Sequence, residues 1–428
     1  MDKKTVHHRR YGKGQVLQTR HKGLELLVKF VDGRSRWTRI EDLQDPPISA
    51  RDQGIFATIC CDDNFKSRRM IECFRLGTVP GDCVQDFIFG RDDEIEQIDG
   101  WLARDHHSTL TVIGGYGTGK SHVLQCAYAR ALQNDFAVAF VEMDLAEAPF
   151  CRPKRVYGRV AHSLRFRSNR TGQIEGYRSF LTEAMTDSSW AAHTYFGRLL
   201  HSPITDQMWE WIEARESVIR PWSPFGEYTN FPATYDYGTA ANIYCYLLSG
   251  LGWAAKEILG LNGLLLIFDE AETVDYYYYY EYQREKSENF LRALIRTANG
   301  DEELLEPPYL SRLLYCQKGI ASGIRFLFRQ PSGLKLLFAF TPGYATTQIS
   351  EVKRAERIVL QPLSTLARRK IFEHTCLLYH SAYGFLPNTE ERLDIFSELS
   401  SKLKGQDASA RLLVKGSVEA LDLARLVP

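Results

Sequence analysis

Gly114-Gly115-Tyr116-Gly117-Thr118-Gly119-Lys120-Ser121 is the stretch of this sequence that decides the fold. The short apolar run Leu110–Ile113 precedes it, and the helical run HVLQCAYARALQ follows it. A strand, a loop with the spacing GxxxxGK[ST] and a helix, in this order, are typical of a phosphate-binding loop. The glycines let the backbone turn tightly and point its N–H groups at an anion, and the helix N-terminus adds positive partial charge. The stretch therefore predicts a nucleotide site, and a chance glycine-rich turn is the disfavoured alternative.

The loop also predicts individual contacts. We expect Lys120 to pair with the β- and γ-phosphates of ATP, and the Ser121 hydroxyl to complete the shell of a Mg²⁺ ion. The other expected nucleotide contacts come from the same loop and the residue after it: Gly114, Gly115, Tyr116, Gly117, Thr118, Gly119 and His122. ATP and Mg²⁺ are thus the expected cofactors.

A second motif lies far downstream, where the apolar run 263–268 ends in Asp269-Glu270-Ala271-Glu272. A buried strand that ends in paired carboxylates is typical of the acidic Walker B motif of nucleotide hydrolases. We expect Asp269 to hold Mg²⁺ through water, and Glu270 to orient and deprotonate the attacking water. The alternative is a buried strand that ends in a solvated acidic turn, and the phosphate-binding loop upstream disfavours it.

An acidic residue directly after Asp269 resembles the additional-strand P-loop proteins, which include the AAA+, RecA-like and STAND classes. This resemblance implies a central strand between the two motif strands, and the run 336–341 supplies it. Another strand is predicted at 136–143. The predicted fold class is α/β, with a parallel P-loop sheet, a small N-terminal β-barrel and a C-terminal helical lid; kinase and GTPase architectures are disfavoured.

The resemblance implies roles for residues outside the two motifs. Thr341 occupies the position of a first sensor, which reads the γ-phosphate or the lytic water, although a strand-capping hydroxyl is an alternative. Arg91, in the Gly-Arg-Asp element that opens a helix, would lie beside the nucleotide. Arg411 would be a second sensor that contacts phosphate, or else a surface arginine. Arg354 and Arg357 are candidates for an arginine that acts on a neighbouring subunit, or else belong to a solvated helix face.

The N-terminal segment predicts a separate small module. Residues 1–45 contain eleven Lys/Arg against six Asp/Glu, and short alternating strands are predicted at 15–18, 24–31 and 36–40. The pattern resembles the SH3-like or Tudor-like modules of nucleic-acid motor proteins. Its aromatic residues could bind a partner or nucleic acid, or could simply form the core of a tiny barrel.

The predicted domain plan has four parts. Residues 1–45 form the β module, 46–87 a helical linker, 88–363 the ATPase core, and 364–428 the helical lid. A helical insertion at about 145–240 interrupts the core. It begins with a predicted basic helix that carries Arg152, Lys154, Arg155, Arg159, Arg165 and Arg167.

Over about residues 70–428 the chain resembles the P-loop ATP-binding proteins of BREX-type and related bacterial phage-defence systems. The most specific elements of this resemblance are 76–80, 89–91, the phosphate-binding loop and 269–272. It implies an ATPase that works on DNA or with a partner helicase, methyltransferase or other defence protein, and that could form a homo-oligomer. The alternatives are a nucleotide-gated scaffold with little turnover and a STAND-type regulatory switch.

Composition narrows the remaining classes. The formal net charge is zero, so any binding of nucleic acid has to come from a local basic patch. The nine cysteines lack metal-ligand spacing, and no apolar stretch is long enough to span a bilayer. We therefore expect a bacterial cytoplasmic protein with no membrane partner. The run Tyr276 to Tyr280 cannot face one core, so part of it is expected to contact a partner or a base.

Overall fold

The computed structural model describes residues 5–8, 12–20, 25–31, 33–39, 43–44, 63–200, 204–216, 231–234, 241–275, 280–306, 324–403 and 410–426. The chain divides into two compact units. One contains Met1–Arg69 and Leu378–Phe385, and the other contains Met70–Leu377 and Leu386–Pro428. Among the described residues, no helix combines the length and the apolar character that crossing a bilayer requires.

The first unit contains a five-stranded antiparallel sheet. Its strands are β1 (Thr5–His8), β2 (Gly12–Arg20), β3 (Glu25–Phe30), β4 (Ser35–Arg39) and β5 (Leu43–Gln44), in the spatial order β4-β3-β2-β1-β5. Leu26, Val28 and Phe30 form its buried core, with Val16 packed against them. The β structure predicted for this segment is confirmed as an antiparallel sheet. The aromatic residue Trp37 is 40% exposed.

The second unit contains a seven-stranded sheet. Its strands are β6 (Thr109–Ile113), β7 (Ala137–Glu142), β8 (Arg165–Arg167), β9 (Ile174–Gly176), β10 (Leu264–Asp269), β11 (Leu334–Phe340) and β12 (Glu356–Val359). The order is β12-β6-β11-β10-β7-β8-β9. The first five strands in this order pair in parallel, and β8 and β9 add an antiparallel edge. Strand β11 lies between β6 and β10, which confirms the predicted additional-strand arrangement.

Helices precede, separate and follow these strands along the chain. They are α1 (Asp63–Arg75), α2 (Asp92–Leu102), α3 (Lys120–Gln133), α4 (Pro153–Ser163), α5 (Tyr177–Ala184), α6 (Asp206–Ile212), α7 (Ala241–Glu257), α8 (Glu281–Ala298), α9 (Tyr344–Gln348), α10 (Ser350–Arg354), α11 (Thr365–Tyr383), α12 (Thr389–Lys402) and α13 (Ala410–Leu426). The helices α11 to α13 confirm the predicted helical character of the C-terminal segment.

Burial follows the layers of the second unit. Every residue of β10 and β11 is buried, and along β10 alternate side chains enter different core clusters: Leu264, Leu266 and Phe268 enter one, Leu265 and Ile267 the other. Both faces of the sheet are therefore covered, as a parallel sheet requires. Helix α7 is buried from Ala241 to Ala255, because it is apolar all round.

Two local predictions were wrong. The basic helix expected over 152–167 ends at Ser163, and Arg165 and Arg167 lie on β8, where Arg165 pairs with Val138 of β7. Arg357 lies on β12 rather than on the preceding helix, because α10 ends at Arg354 and strand pairing with β6 begins at Glu356.

Candidate functional site: a nucleotide cavity at the carboxyl ends of the strands

The phosphate-binding loop joins β6 to α3 in the predicted order. All five residues of β6 are buried, and α3 begins at Lys120. Gly117 and Gly119 have φ of 73° and 95°, a region that side chains disfavour. At Gly114 a Cβ would lie 2.5 Å from Thr118 Oγ1, which is too close for a side chain. The Gly114 N–H donates to the Phe340 carbonyl at 3.1 Å. The glycines thus satisfy conformational and packing requirements of the loop.

The carboxylates of the second motif lie at the same edge of the sheet. Asp269 is the last residue of β10 and is 6% exposed, and its Oδ1 accepts the Glu270 N–H at 3.0 Å. Glu270 follows with a φ of 54°, which is uncommon for a residue with a side chain. Such a backbone conformation persists only where the surroundings hold it, and it is enriched at functional sites.

Thr341 follows β11 directly and links the two motifs. Lys120 Nζ donates to Thr341 Oγ1 at 3.1 Å and to the Gly114 carbonyl at 2.9 Å. The Thr341 hydroxyl in turn donates to Glu272 Oε1 at 2.5 Å. These contacts fix the orientation of the threonine hydroxyl and hold the lysine over the loop.

Glu272 had no predicted role of its own. Its Oε2 is buried and has no hydrogen-bond partner among the described residues. The only sequence signal was its place in Asp269-Glu270-Ala271-Glu272, and the contact with Thr341 depends on β11 lying beside β10. The structure therefore adds Glu272 to the residues around the lysine.

Burial and neighbouring charges change the pKa of Glu270. Partial burial raises its pKa, and so do the negative charges of Asp269, Glu142 and Glu272, while Lys120 opposes the shift. A carboxylate with a raised pKa is a stronger base once it is ionised, which suits a residue that accepts a proton from water.

A cavity of about 310 Å³ lies beside the phosphate-binding loop and the carboxylates Asp269, Glu270 and Glu272. Of the residues predicted for the site, Arg91, Tyr116, Gly117, Thr118, Gly119, Lys120, Ser121, His122, Asp269, Glu270 and Arg411 line it, and Gly114, Gly115 and Thr341 do not. Apolar side chains form another part of the wall: Val79, Val84, Phe87, Phe89, Leu363, Ile371 and Val414. The cavity thus joins an apolar wall to a polar end that carries one lysine and several carboxylates.

Arg91 lines the cavity, but its guanidinium donates hydrogen bonds to other protein groups. It is 6% exposed and pairs with Glu94 at 2.7 Å. It also donates to the carbonyl of Thr118, in the phosphate-binding loop, at 2.9 Å and to that of Gln361 at 2.8 Å. These bonds connect the phosphate-binding loop to the start of α2 and to the segment after β12. The arginine therefore positions the loop through its backbone.

His122 lies beside this arginine. Burial lowers the pKa of its imidazole to about 4, and the positive charge of Arg91 acts in the same direction, while a hydrogen bond to the Phe87 backbone opposes the shift. The ring is therefore neutral at pH 7. Its Nε2 is buried, with no hydrogen-bond partner among the residues that the structure describes.

Helix α13 contributes the last part of the cavity wall. The Ala410 N–H donates to the Gly117 carbonyl at 3.1 Å. Arg411 Nη1 donates to the Tyr116 hydroxyl at 3.2 Å, and the guanidinium lies 5.8 Å from the centre of that ring. The start of α13 thus contacts the phosphate-binding loop directly.

The remaining predicted residues lie elsewhere or outside the described chain. Arg354 lines a different cavity, and Arg357 Nη2 donates to the Lys353 carbonyl at 2.8 Å. Tyr276 to Tyr279 lie outside the described residues. Tyr280 is 71% exposed and stacks on Tyr282, with ring centroids 5.9 Å apart.

Comparison with known proteins gives one specific match and several weak ones. A crystal structure of a DNA replication initiation factor is 10% identical with a TM-score of 0.33, and the match covers 75% of this chain and 62% of that one. An S. cerevisiae Hsp104:casein complex is 14% identical with a TM-score of 0.37, and the match covers 81% of this chain and 40% of that one. This chain thus spans less than two thirds of either structure, and similarities at this level carry no argument.

No curated protein matches the chain. The family model described as "BREX system ATP-binding protein BrxC/D" matches residues 64–188, a range that includes α2, the phosphate-binding loop and α4. The resemblance inferred from the sequence is therefore confirmed over residues 64–188, where this chain matches the family model of the BREX system ATP-binding protein BrxC/D.

Proposed function

We propose that this chain binds Mg-ATP in the cavity of about 310 Å³ and hydrolyses it to ADP and phosphate. One observation carries the proposal: Lys120 of the phosphate-binding loop reaches Thr341 at the end of β11, beside the carboxylates that end β10. Groups that would bind phosphate, hold a metal and activate water thus converge at one edge of one sheet.

The polar end of the cavity would hold the phosphates. The loop N–H groups and Lys120 supply donors and positive charge where the β- and γ-phosphates would lie. Ser121 and the buried Asp269 carboxylate provide the oxygen ligands that Mg²⁺ prefers, and both line the cavity. When bound, the ion would neutralise negative charge on the phosphates. The apolar wall around Phe87 and Phe89 would enclose the adenine.

Glu270 would act as the general base. It accepts a proton from water as the water oxygen forms a bond to the γ-phosphorus, and the bond to the β–γ bridging oxygen breaks to release ADP and phosphate. Thr341 would orient this water or the γ-phosphate, and its own hydroxyl is held by Glu272.

Phosphate release by the purified full chain tests this proposal. We expect turnover in the wild type and its loss in Lys120→Ala and Glu270→Gln. Glu257→Gln, at the end of α7 and outside the cavity lining, is the matched control and should retain it. Equal turnover in the wild type and both cavity variants would contradict the assignment.

The biological setting that fits the matched family is bacterial anti-phage defence. We infer that nucleotide turnover is coupled there to DNA or to a partner helicase or modification enzyme. A homo-oligomer, in which Arg354 or Arg357 acts on a neighbouring subunit, belongs to the same proposal. Activation of phosphate release by added DNA or by a partner protein is the measurement that tests this coupling.

The contacts of α13 favour a second candidate, a nucleotide-gated scaffold or STAND-type switch with little turnover. The start of this helix bonds to Gly117, and Arg411 contacts Tyr116, so phosphates in the loop would displace or strengthen these contacts. Single-turnover kinetics separate the candidates. ATP that stays uncleaved for hours, with DNA and partner present, favours the switch, whereas rapid cleavage favours the ATPase.

A further inference from the structure

A second cavity, of about 540 Å³, is formed by the segment between β7 and β10. Its wall comes from α4, from the start of α5 and from the residues that follow α6. We name it the basic cleft and define it by its charged lining residues: Glu147, Lys154, Arg155, Arg159, His162, Arg178, Glu213 and Arg215. In the described part of the chain, the basic cleft shares no lining residue with the cavity of about 310 Å³ around Lys120, which we call the nucleotide cavity.

The charge of this cleft is local. Of the described residues, five Lys/Arg side chains line it against two carboxylates, which leaves an excess of three positive charges without counting His162. The whole chain has a formal net charge of zero. A concentrated positive field on an otherwise balanced protein attracts polyanions to that one place.

Three basic side chains of α4 follow one line, whereas Lys154 belongs to the buried part of the helix. Arg155, Arg159 and His162 are exposed and are spaced three or four residues apart, so they lie on one face of the helix. The opposite face, with Tyr157 and Val160, is buried in the core. Since a helix rises about 1.5 Å per residue, Arg155 and Arg159 are separated by about 6 Å along its axis. Such a row suits a repeating anion rather than a single phosphate.

Arg178 and Arg215, on another wall, are held by one buried carboxylate. Glu213 is 8% exposed, and its two oxygens accept from Arg178 Nε at 2.6 Å and Nη2 at 3.1 Å. Arg215 Nε lies 3.2 Å from Glu213 Oε2. The Arg178 guanidinium also lies 5.2 Å from the Trp209 ring centre. A guanidinium has five N–H donors, so both arginines can be fixed in place and still donate to a ligand.

The lining argues against a protein partner. Among the residues that the structure describes, its apolar residues are Ala161 and Ala214, with glycines and the buried Tyr177, so this part of the lining contains no exposed large apolar side chain. The centre of a protein interface is apolar and poor in charge. Phosphodiester backbones, in contrast, are bound mainly by arginine and lysine.

We infer that the basic cleft binds the phosphodiester backbone of a nucleic acid, without base readout. The inference names a surface for the nucleic-acid coupling in the proposed function and rests on that part of it. The cleft is also joined to the nucleotide site through the chain. Met143 N–H donates to the Asp269 carbonyl at 3.0 Å, and Glu147, four residues later, forms an ion pair with Arg159 of the cleft.

Fluorescence anisotropy of the full chain with a labelled 20-nucleotide DNA of mixed sequence, single-stranded and duplex, tests the inference at 50 to 200 mM KCl. We expect wild-type binding whose log affinity falls linearly with log salt. Arg155→Glu with Arg159→Glu should lower the affinity at least ~10-fold and reduce the salt slope by about two. Lys402→Glu with Lys415→Glu makes an equal charge change in exposed ion pairs of α12 and α13. This control should keep the affinity within about two-fold of the wild type and leave the salt slope unchanged.

Additional arms separate this inference from the proposed ATPase. Arg155→Gln with Arg159→Gln, a milder change, should also weaken DNA binding and should retain basal phosphate release, which shows that it is folded. Lys120→Ala should lose phosphate release and retain DNA binding. Absence of wild-type binding at 50 mM KCl, equal losses in the control, or unchanged affinity in both cleft variants would overturn the inference. So would poly-glutamate that binds as tightly as DNA, because it would indicate an acidic protein partner.

Discussion

Replacing Arg91 with methionine tests the positioning role that the structure gives this residue. The guanidinium is 6% exposed and bonds to Glu94, the Thr118 carbonyl and the Gln361 carbonyl. Hydrogen bonds to a charged group contribute about 1.5–3 kcal/mol each, and breaking a buried ion pair costs about 3–5 kcal/mol. Since such losses are not additive, we expect Arg91→Met to lower the free energy of unfolding by about 3–5 kcal/mol.

Urea denaturation of the full chain measures this loss. Arg91→Lys keeps the charge but replaces the planar fork of guanidinium donors with one compact ammonium group, so it should fall between the wild type and Arg91→Met. Arg104→Met is the matched control. It breaks an ion pair with Glu356, but Arg104 is 40% exposed, so its loss should stay below about 1 kcal/mol. A loss below about 1 kcal/mol in Arg91→Met as well would refute the positioning role, and weaker ATP binding in Arg91→Met without destabilisation would indicate direct nucleotide contact.

Three other predictions concern residues around the cavity. Thr341→Ala removes the hydroxyl that links Lys120 to Glu272 and should slow phosphate release ~10-fold or more. Thr347→Ala, at an exposed threonine of α9, should leave the rate of phosphate release unchanged. Equal rates in the two variants would argue against a role for Thr341. Glu272→Gln removes one charge that raises the pKa of Glu270, so the acidic limb of the pH–rate profile should move to lower pH, and an unmoved limb would assign the base elsewhere. Burial lowers the pKa of His122 from 6.5 to about 4, so the unfolded chain binds the proton more tightly than the folded one. The free energy of unfolding should therefore fall as pH decreases from about 6.5 towards 4, by about 2 kcal/mol at pH 5. Urea denaturation at pH 7.5 and pH 5 should show a smaller fall in His122→Gln and the wild-type fall in the exposed His106→Gln, and identical falls in all three proteins would contradict this.

The nucleotide cavity shows why some of this architecture was predictable. The strands β6, β10 and β11 are buried on both faces, so each appears in the sequence as a mainly apolar run, which Thr109 and Thr111 interrupt in β6 and Lys335 in β11. The phosphate-binding loop needs glycine at positions with a positive φ that residues with side chains disfavour, such as Gly117 and Gly119. Because steric and burial requirements act locally there, the residue types reveal them.

The side-chain contacts were not predictable in the same way. Glu272 and Thr341 are 69 residues apart, and they meet because β11 inserts beside β10. The acceptors of Arg91 lie on the loop and after β12, so the sequence indicated only that this arginine would be near the nucleotide. The strand β8 has three residues, too few for its alternation to be separated from the preceding basic helix.

The basic cleft combines both situations. The sequence showed a run of basic residues, but a solvated helix face has the same composition. Arg178 and Glu213 are separated from α4 along the chain and join it only in the folded protein. A cleft differs from a charged surface because residues from distant parts of the chain converge in it. No local sequence pattern shows that convergence.

The measurement that tests the central claim most directly is equilibrium binding of ATP and Mg²⁺ to Glu270→Gln, with and without Lys120→Ala. Titration calorimetry on the full chain reports affinity separately from turnover. We expect Glu270→Gln alone to bind ATP, because the glutamate acts in hydrolysis, and the double variant to bind ~10-fold more weakly or worse, because Lys120 would contact the phosphates. Equal affinities in the two proteins would contradict an ATP site at this loop.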